Sequence, residues 1–137
     1  MVKNINIHSN IIYDPKYKWV QQQLSEIIIY FKGDLYYENN HYKKDKAIIK
    51  LHELFKPLFD DGKISYLTVV NKIAKIFDYI RGHYSFILNA PDFTLAAVDR
   101  IRSYPIYYTD KDPIIISNSA KIIQNECGLY EIDKLSM

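Results

Sequence analysis

Groups with chemistry to offer are few in this chain and far apart. The histidines His8, His41, His52 and His83 show none of the short spacings that bring ligands onto one metal. Each is expected at a surface or a strand end, with no metal site. Asp60 and Asp61 adjoin Gly62, a turn composition rather than a catalytic dyad. Gly33, Gly62, Gly82 and Gly128 are isolated, so no glycine-rich loop cradles a phosphate and no cofactor is implied. The single cysteine, Cys127, has no base near it in sequence. It reads as a small buried hydrophobe, excludes an internal disulfide, and leaves the list of catalytic residues empty.

The informative stretch is GHYSFILNAPDFTLAAVDRIRSYPIYY, Gly82 to Tyr108. It alternates apolar and polar residues, then breaks into Asp99-Arg100-Ile101-Arg102 before Pro105-Ile106-Tyr107-Tyr108. The elements around it can be read from periodicity. Val2 to Ile7 alternates as a strand, with Asn10 and Asp14-Pro15 as turn signals. Ile27 to Phe31 is a β-branched and aromatic run, a strand covered on both faces that stops at Lys32-Gly33-Asp34. From Lys44 to Phe59, apolar residues at helical spacing (Ala47, Ile48, Leu51, Leu54, Phe55, Leu58) predict an amphipathic helix that Pro57 should end or kink.

A second helix is expected from the N-cap Ser65 to Ile80, with Val69, Val70, Ile73, Ile76 and Phe77 inward. Tyr84 to Asn89 and Thr94 to Val98 form a hairpin, and Ile106 to Tyr108 and Ile114 to Ile116 are further strands of the same meander, joined by a turn at Asp110 to Pro113. Ser117-Asn118-Ser119 offers caps for a short helix ending near Gly128. Strands, two helices, strands and a helix make an α+β pattern in one domain, residues 1–137.

Composition bounds the partners. With 137 residues and 48% hydrophobic content the chain can bury a core. Lys and Arg exceed Asp and Glu by only 18 to 16, a net charge of +2, which gives no electrostatic case for nucleic acid or anionic membrane. The 13 Tyr accompany an excess of Ile, Lys and Asn, a bias of the kind AT-rich coding produces, so Tyr patches alone are no argument for base stacking. No apolar run reaches the ~18 residues needed to span a bilayer, and no signal peptide is seen, so a cytoplasmic location is expected. Trp19 is expected in the core or at its rim. The Ile114 to Ile116 strand, if it lies at an edge, invites pairing into a homo-oligomer.

The succession Arg81-Gly82-His83-Tyr84-Ser85-Phe86, then Ala97-Val98-Asp99-Arg100-Ile101, then Pro105-Ile106-Tyr107-Tyr108, closed by Ser117-Asn118-Ser119-Ala120-Lys121, resembles the class II glutamine amidotransferase domain of asparagine synthetases. Phe31-Lys32-Gly33-Asp34-Leu35-Tyr36 is similar to that family's Asn-Gly-Glu-Ile-Tyr segment, and Asp45 heads a helix as its Ser-Asp-x-Glu does. The resemblance implies an N-terminal-nucleophile (Ntn) hydrolase-like αββα sandwich with a reduced N-terminal part. It implies structural-motif roles for Gly82, Asp99, Arg100, Pro105, Tyr107 and Lys121, with Asp99 acceptors and the Arg100 donor fork holding the crossing between strands.

It also implies a remnant ligand pocket of Lys32, Gly33, Asp34 and Asp45, the last where the family receives glutamine's α-amino group. The departures bear on chemistry. The family attacks glutamine with a cysteine exposed after Met removal, whereas Met1 is followed here by Val2. Lys32 replaces the oxyanion-hole Asn, Arg102 the Gly of Asp-Arg-Phe-Gly, and Ser119 the Glu of Ser-Glu-x-Lys. The expectation is a catalytically silent binding or scaffold subunit for a separately encoded asparagine-synthetase-like protein of the ATP-pyrophosphatase type. The alternatives are a divergent amidotransferase or hydrolase with non-standard chemistry, and a small-ligand amino acid sensor.

Overall fold

A computed structural model describes residues 2–3, 10–60, 65–91, 94–109, 114–127 and 133–134. Its elements in chain order are β1 (Val2–Lys3), β2 (Asn10–Ile12), a 3-10 turn (Pro15–Tyr17), β3 (Val20–Leu24), β4 (Ile27–Tyr37), β5 (Asn40–Lys43), α1 (Asp45–Asp60) and α2 (Tyr66–Phe77). They continue as β6 (Ile80–Asn89), β7 (Thr94–Val98), β8 (Tyr107–Tyr108), β9 (Ile115–Ser117), α3 (Ala120–Cys127) and β10 (Asp133–Lys134). The fold is α+β. One sheet has the order β1-β7-β6-β4-β3 with β5 paired to β4, and the other has the order β10-β8-β9-β2. Strand pairing is antiparallel throughout except between β2 and β9.

The middle strands of the first sheet, β4, β6 and β7, are covered on both faces over much of their length, and the period of two along them sorts their side chains between two cores. Ile27, Ile29, Phe31 and Leu35 of β4, with Phe86, Leu88, Leu95 and Ala97 of β6 and β7, meet the apolar stripes of α1 and α2. The intervening Tyr30, Ile87, Ala96 and Val98 meet Trp19, Ile106 and Ile116 on the side of the second sheet. Every residue of β7 is therefore buried. Beyond the second sheet α3 lies against β8 and β9, where Ile115 and Ile123 are buried. The layers run helices, sheet, sheet, helix.

α1 presents Ala47, Ile48, Leu51, Phe55 and Leu58 to the first core. Pro57 does not end it; the helix runs on to Asp60. An interior proline costs about 3 kcal/mol, and burying Phe55 and Leu58 on either side returns roughly 1.5–3 kcal/mol each. The Ser65 hydroxyl caps α2 by accepting from the Thr68 amide at 3.3 Å. α2 stops at Phe77, and Ile80, expected at its end, instead opens β6.

Other boundaries moved as well. β4 does not stop at Lys32-Gly33-Asp34 but continues to Tyr37, because β6 pairs with it from Ile28↔Asn89 to Tyr37↔Ile80. Asn10, read as a turn residue, is in β2, paired with Ile115. β3 and β5, missed in the sequence, add to β4; Glu38 and Asn39, both at positive φ, make the tight turn into β5. The expected meander is divided, with β6 and β7 in one sheet and β8 and β9 in the other. β9 lies between β8 and β2, so the isoleucine run is not an edge. Residues 4–7 of the first expected strand, His8, the turns at 61–62 and 110–113, Gly128 and the Cys127 side chain lie outside the described residues.

Candidate functional site

The break at Asp99 to Tyr104 is where the chain leaves the first sheet for the second. Asp99 is 4% exposed, and its carboxylate accepts from the Tyr84 amide at 3.2 Å, the Ser103 amide at 2.9 Å and the Ser103 hydroxyl at 2.6 Å. Its own amide donates to the Tyr84 carbonyl at 3.0 Å, and the Arg102 amide donates to its carbonyl at 3.2 Å. Arg102 sits at φ 55, the left-handed region that glycine favours. The carboxylate thus satisfies buried donors that the turn would otherwise orphan. Arg100 is exposed, and among the described residues its guanidinium holds no hydrogen bond or ion pair, so Asp99 acts as the clamp without the expected Arg fork.

Asp99, Ser103 and His83 meet there, yet their proton geometry is not that of a catalytic triad. His83 Nδ1 is 3.2 Å from Ser103 Oγ and 3.5 Å from Asp99 Oδ2, while the serine hydroxyl donates straight to the carboxylate. A nucleophilic serine needs its proton directed at a base that the acid orients from behind; here acid and serine are bonded to each other. Beside them, a hollow of about 300 Å³ opens between the end of α2 and the start of β6, lined by Phe77, Ile80, Gly82, Tyr84 and Arg100 among others. Burial pushes the Tyr84 phenol up to about 12; the nearby Asp99 charge adds to the rise, and Arg81 and Arg100 oppose it.

Lys32 stands on the opposite side of β4 from Phe31, facing the second sheet. Its ammonium lies over the Tyr104 ring, 5.6 Å from the centroid. Tyr104 is fixed from below, since its carbonyl accepts from the buried Ser85 hydroxyl, and Ser85 is the cross-strand partner of Lys32. The ring also lies against Gly33, where a Cβ would come within 2.8 Å of Tyr104 Cε2 and 2.0 Å of the His83 carbonyl oxygen. Gly82 mirrors it: its Cβ would fall 2.3 Å from the Asp34 carbonyl oxygen. The two glycines, at φ 110 and 120, flank the Asp34↔His83 pair and let the strands cross closely.

Two hollows meet at Lys32 and Tyr104. One, of about 270 Å³, is lined by Lys18, Lys43 and Lys44 together with Lys32, Gly33 and Asp34. The other, of about 480 Å³, has Tyr17, Trp19, Pro105, Tyr107, Asn118 and Lys121 in its wall. Lys32, Gly33 and Asp34 therefore share one hollow; Asp45 is the first residue of α1 and is not in its lining. Lys121 and Tyr107, assigned structural roles in the sequence, line the second. Gly82 and Asp99 belong to the turn region, and Pro105 follows Tyr104.

Asp34 is held by His41 Nε2 at 2.8 Å, and His41 stacks on Tyr36 at 4.5 Å. Lys18 and Lys44 both have positive φ, 58 and 52. Their place in the cleft was missed in the sequence, because nothing in the spacing of Lys18, Lys32 and Lys44 signals that a sheet gathers them. Among the described residues no three His, Cys, Asp or Glu side chains group to hold a metal. No helix among them is long and apolar enough to cross a membrane. Comparison with protein-family models, with curated proteins and with solved structures returns no match.

Proposed function

We propose that this chain is a catalytically silent, glutamine-amidotransferase-like module on an Ntn-hydrolase-like αββα sandwich, serving as a binding or scaffold subunit for an asparagine-synthetase-like, ATP-dependent amide-forming enzyme. The observation that carries the reading is the Asp99 turn. A buried acid clamps the passage from one sheet to the other at the Val98-Asp99-Arg100 motif, and Arg102 adopts a glycine conformation where the family has glycine. The order of layers supports it too. The silent reading is supported by the groups in place: Lys32, its ammonium over the Tyr104 ring, stands where the family sets a neutral amide, and the Ser103 hydroxyl beside His83 is bonded to the Asp99 carboxylate rather than directed at a base.

The test has two arms. Incubated with glutamine, the purified chain is expected to release ammonia no faster than a heat-treated control; release above that control refutes the silent reading in favour of a divergent amidotransferase. Co-expressed with a neighbouring gene product carrying an ATP-pyrophosphatase Ser-Gly-Gly-x-Asp-Ser loop, the chain is expected to co-migrate with it in size-exclusion chromatography. Separate migration counts against the scaffold role. The hollow at Lys32, Gly33 and Asp34 favours a second reading, an amino acid sensor, for which one amino acid would raise the melting temperature.

A further inference from the structure

The cleft divides by chemistry along its length. On one side of Lys32 a hollow of about 480 Å³ has Tyr17, Trp19, Tyr104 and Tyr107 in its wall, beside Asn118 and Lys121. On the other, four lysines, Lys18, Lys32, Lys43 and Lys44, line a hollow of about 270 Å³. Asp34, bonded to His41 at 2.8 Å, is the one acid in that lining against four lysines, so the lining is formally positive in a protein whose net charge is only +2. Lys32 belongs to both halves, and the Tyr104 ring holds its ammonium at the junction.

Flat π-faces accept a planar ring by stacking without demanding its identity. Clustered lysines recognise phosphate oxygens as point charges. Sites for small molecules are concave, with apolar walls and a few polar groups that fix orientation. We infer that the two hollows form one site for a ligand joining a planar aromatic ring to a short phosphate chain, in size and charge a nucleoside diphosphate. The ring lies in the tyrosine half, and the phosphates reach past Lys32 toward Lys18 and Lys44. Asn118 is half committed, its side chain accepting from the Asp14 amide at 2.9 Å and donating to the Asp14 carbonyl at 3.1 Å, so it shapes the wall more than it reads the ring. The inference needs only the cleft and stands whether or not the chain serves a synthetase.

Trp19, the single tryptophan, lines the aromatic half and reports binding by its fluorescence. The full chain is titrated with ADP, adenosine and inorganic pyrophosphate at low ionic strength, and again in added KCl. ADP is expected to change Trp19 emission and to bind about tenfold or more tighter than either fragment, with affinity falling as salt rises. Lys32→Gln is expected to weaken ADP about tenfold. Lys43→Gln, at an exposed strand end, provides a second variant whose folding is not in question and is expected to act in the same direction. Equal affinity for ADP and pyrophosphate would reduce the site to a nonspecific lysine cluster and overturn the inference. So would the absence of any ADP response, or an ADP affinity that neither lysine variant changes while their melting temperatures match that of the parent.

Discussion

Replacing Gly33 by alanine tests the geometry on which the cleft rests. The added Cβ would lie 2.0 Å from the His83 carbonyl oxygen and 2.8 Å from Tyr104 Cε2. Since such contacts open to at least 3.0 Å in real proteins, β4 and β6 must separate by the difference, about 1 Å. Two costs add. Holding a residue with a Cβ at φ 110 costs on the order of 1–3 kcal/mol. Parting the strands weakens the ladder bonds around Asp34↔His83, at about 1 kcal/mol each for about two bonds.

The sum, roughly 3–5 kcal/mol, is a large share of the 5–15 kcal/mol typical of a domain. For a chain of this size it corresponds to a fall in Tm of roughly 10–20 °C. Circular dichroism melts of Gly33→Ala, Gly82→Ala and the double variant, with the exposed Gln21→Ala as reference, provide the assay. Because both glycines relieve the same strand crossing, the double variant should lose less than the sum of the singles. A Gly33→Ala melt within a few degrees of the parent, or strict additivity, would refute the crossing argument.

Three further outcomes follow from the same structure. Asp99→Ala leaves the Tyr84 and Ser103 amides without their acceptor and is expected to cost about 2–5 kcal/mol, read as a lower urea midpoint; a midpoint within error of the parent would remove the clamp. Arg102→Gly relieves a left-handed residue and should hold or raise the melting temperature, whereas Arg102→Val should lower it by about 1–2 kcal/mol in stability; the reverse order would contradict the φ assignment. Tyr84, with its phenol raised to about 12, keeps its proton in the folded state after the unfolded chain has lost it near 10. Its contribution is therefore complete below pH ~10 and is lost between about 10 and 12, on the order of 2–3 kcal/mol. Tyr84→Phe should flatten that part of a stability-versus-pH curve, and an unchanged slope would sink the assignment.

Much of the fold was legible because burial leaves a period in the sequence. The stripe Ala47-Ile48-Leu51-Phe55-Leu58 announced α1, the Ser65 cap announced α2, and alternation announced the β6–β7 hairpin. Errors arose where pairing overruled local signals. Lys32-Gly33-Asp34 looks like a stop, yet in register with Ser85, Tyr84 and His83 it is the middle of the longest strand. The polar run Gln21-Gln22-Gln23 carries no strand signal of its own and becomes β3 because β4 offers it an edge.

The sequence by itself determined the α+β class, the amphipathic faces and the importance of the Asp99 break, since each of these is written in neighbouring residues. Only the tertiary structure decided that the strands divide into two sheets, that Asp99 clamps without Arg100, and that Lys18, Lys32, Lys43 and Lys44 converge beside Tyr104. Periodicity specifies which face of an element is buried, but the partner that covers it, and the side chains brought together at its rim, are set by contacts between segments far apart in the chain.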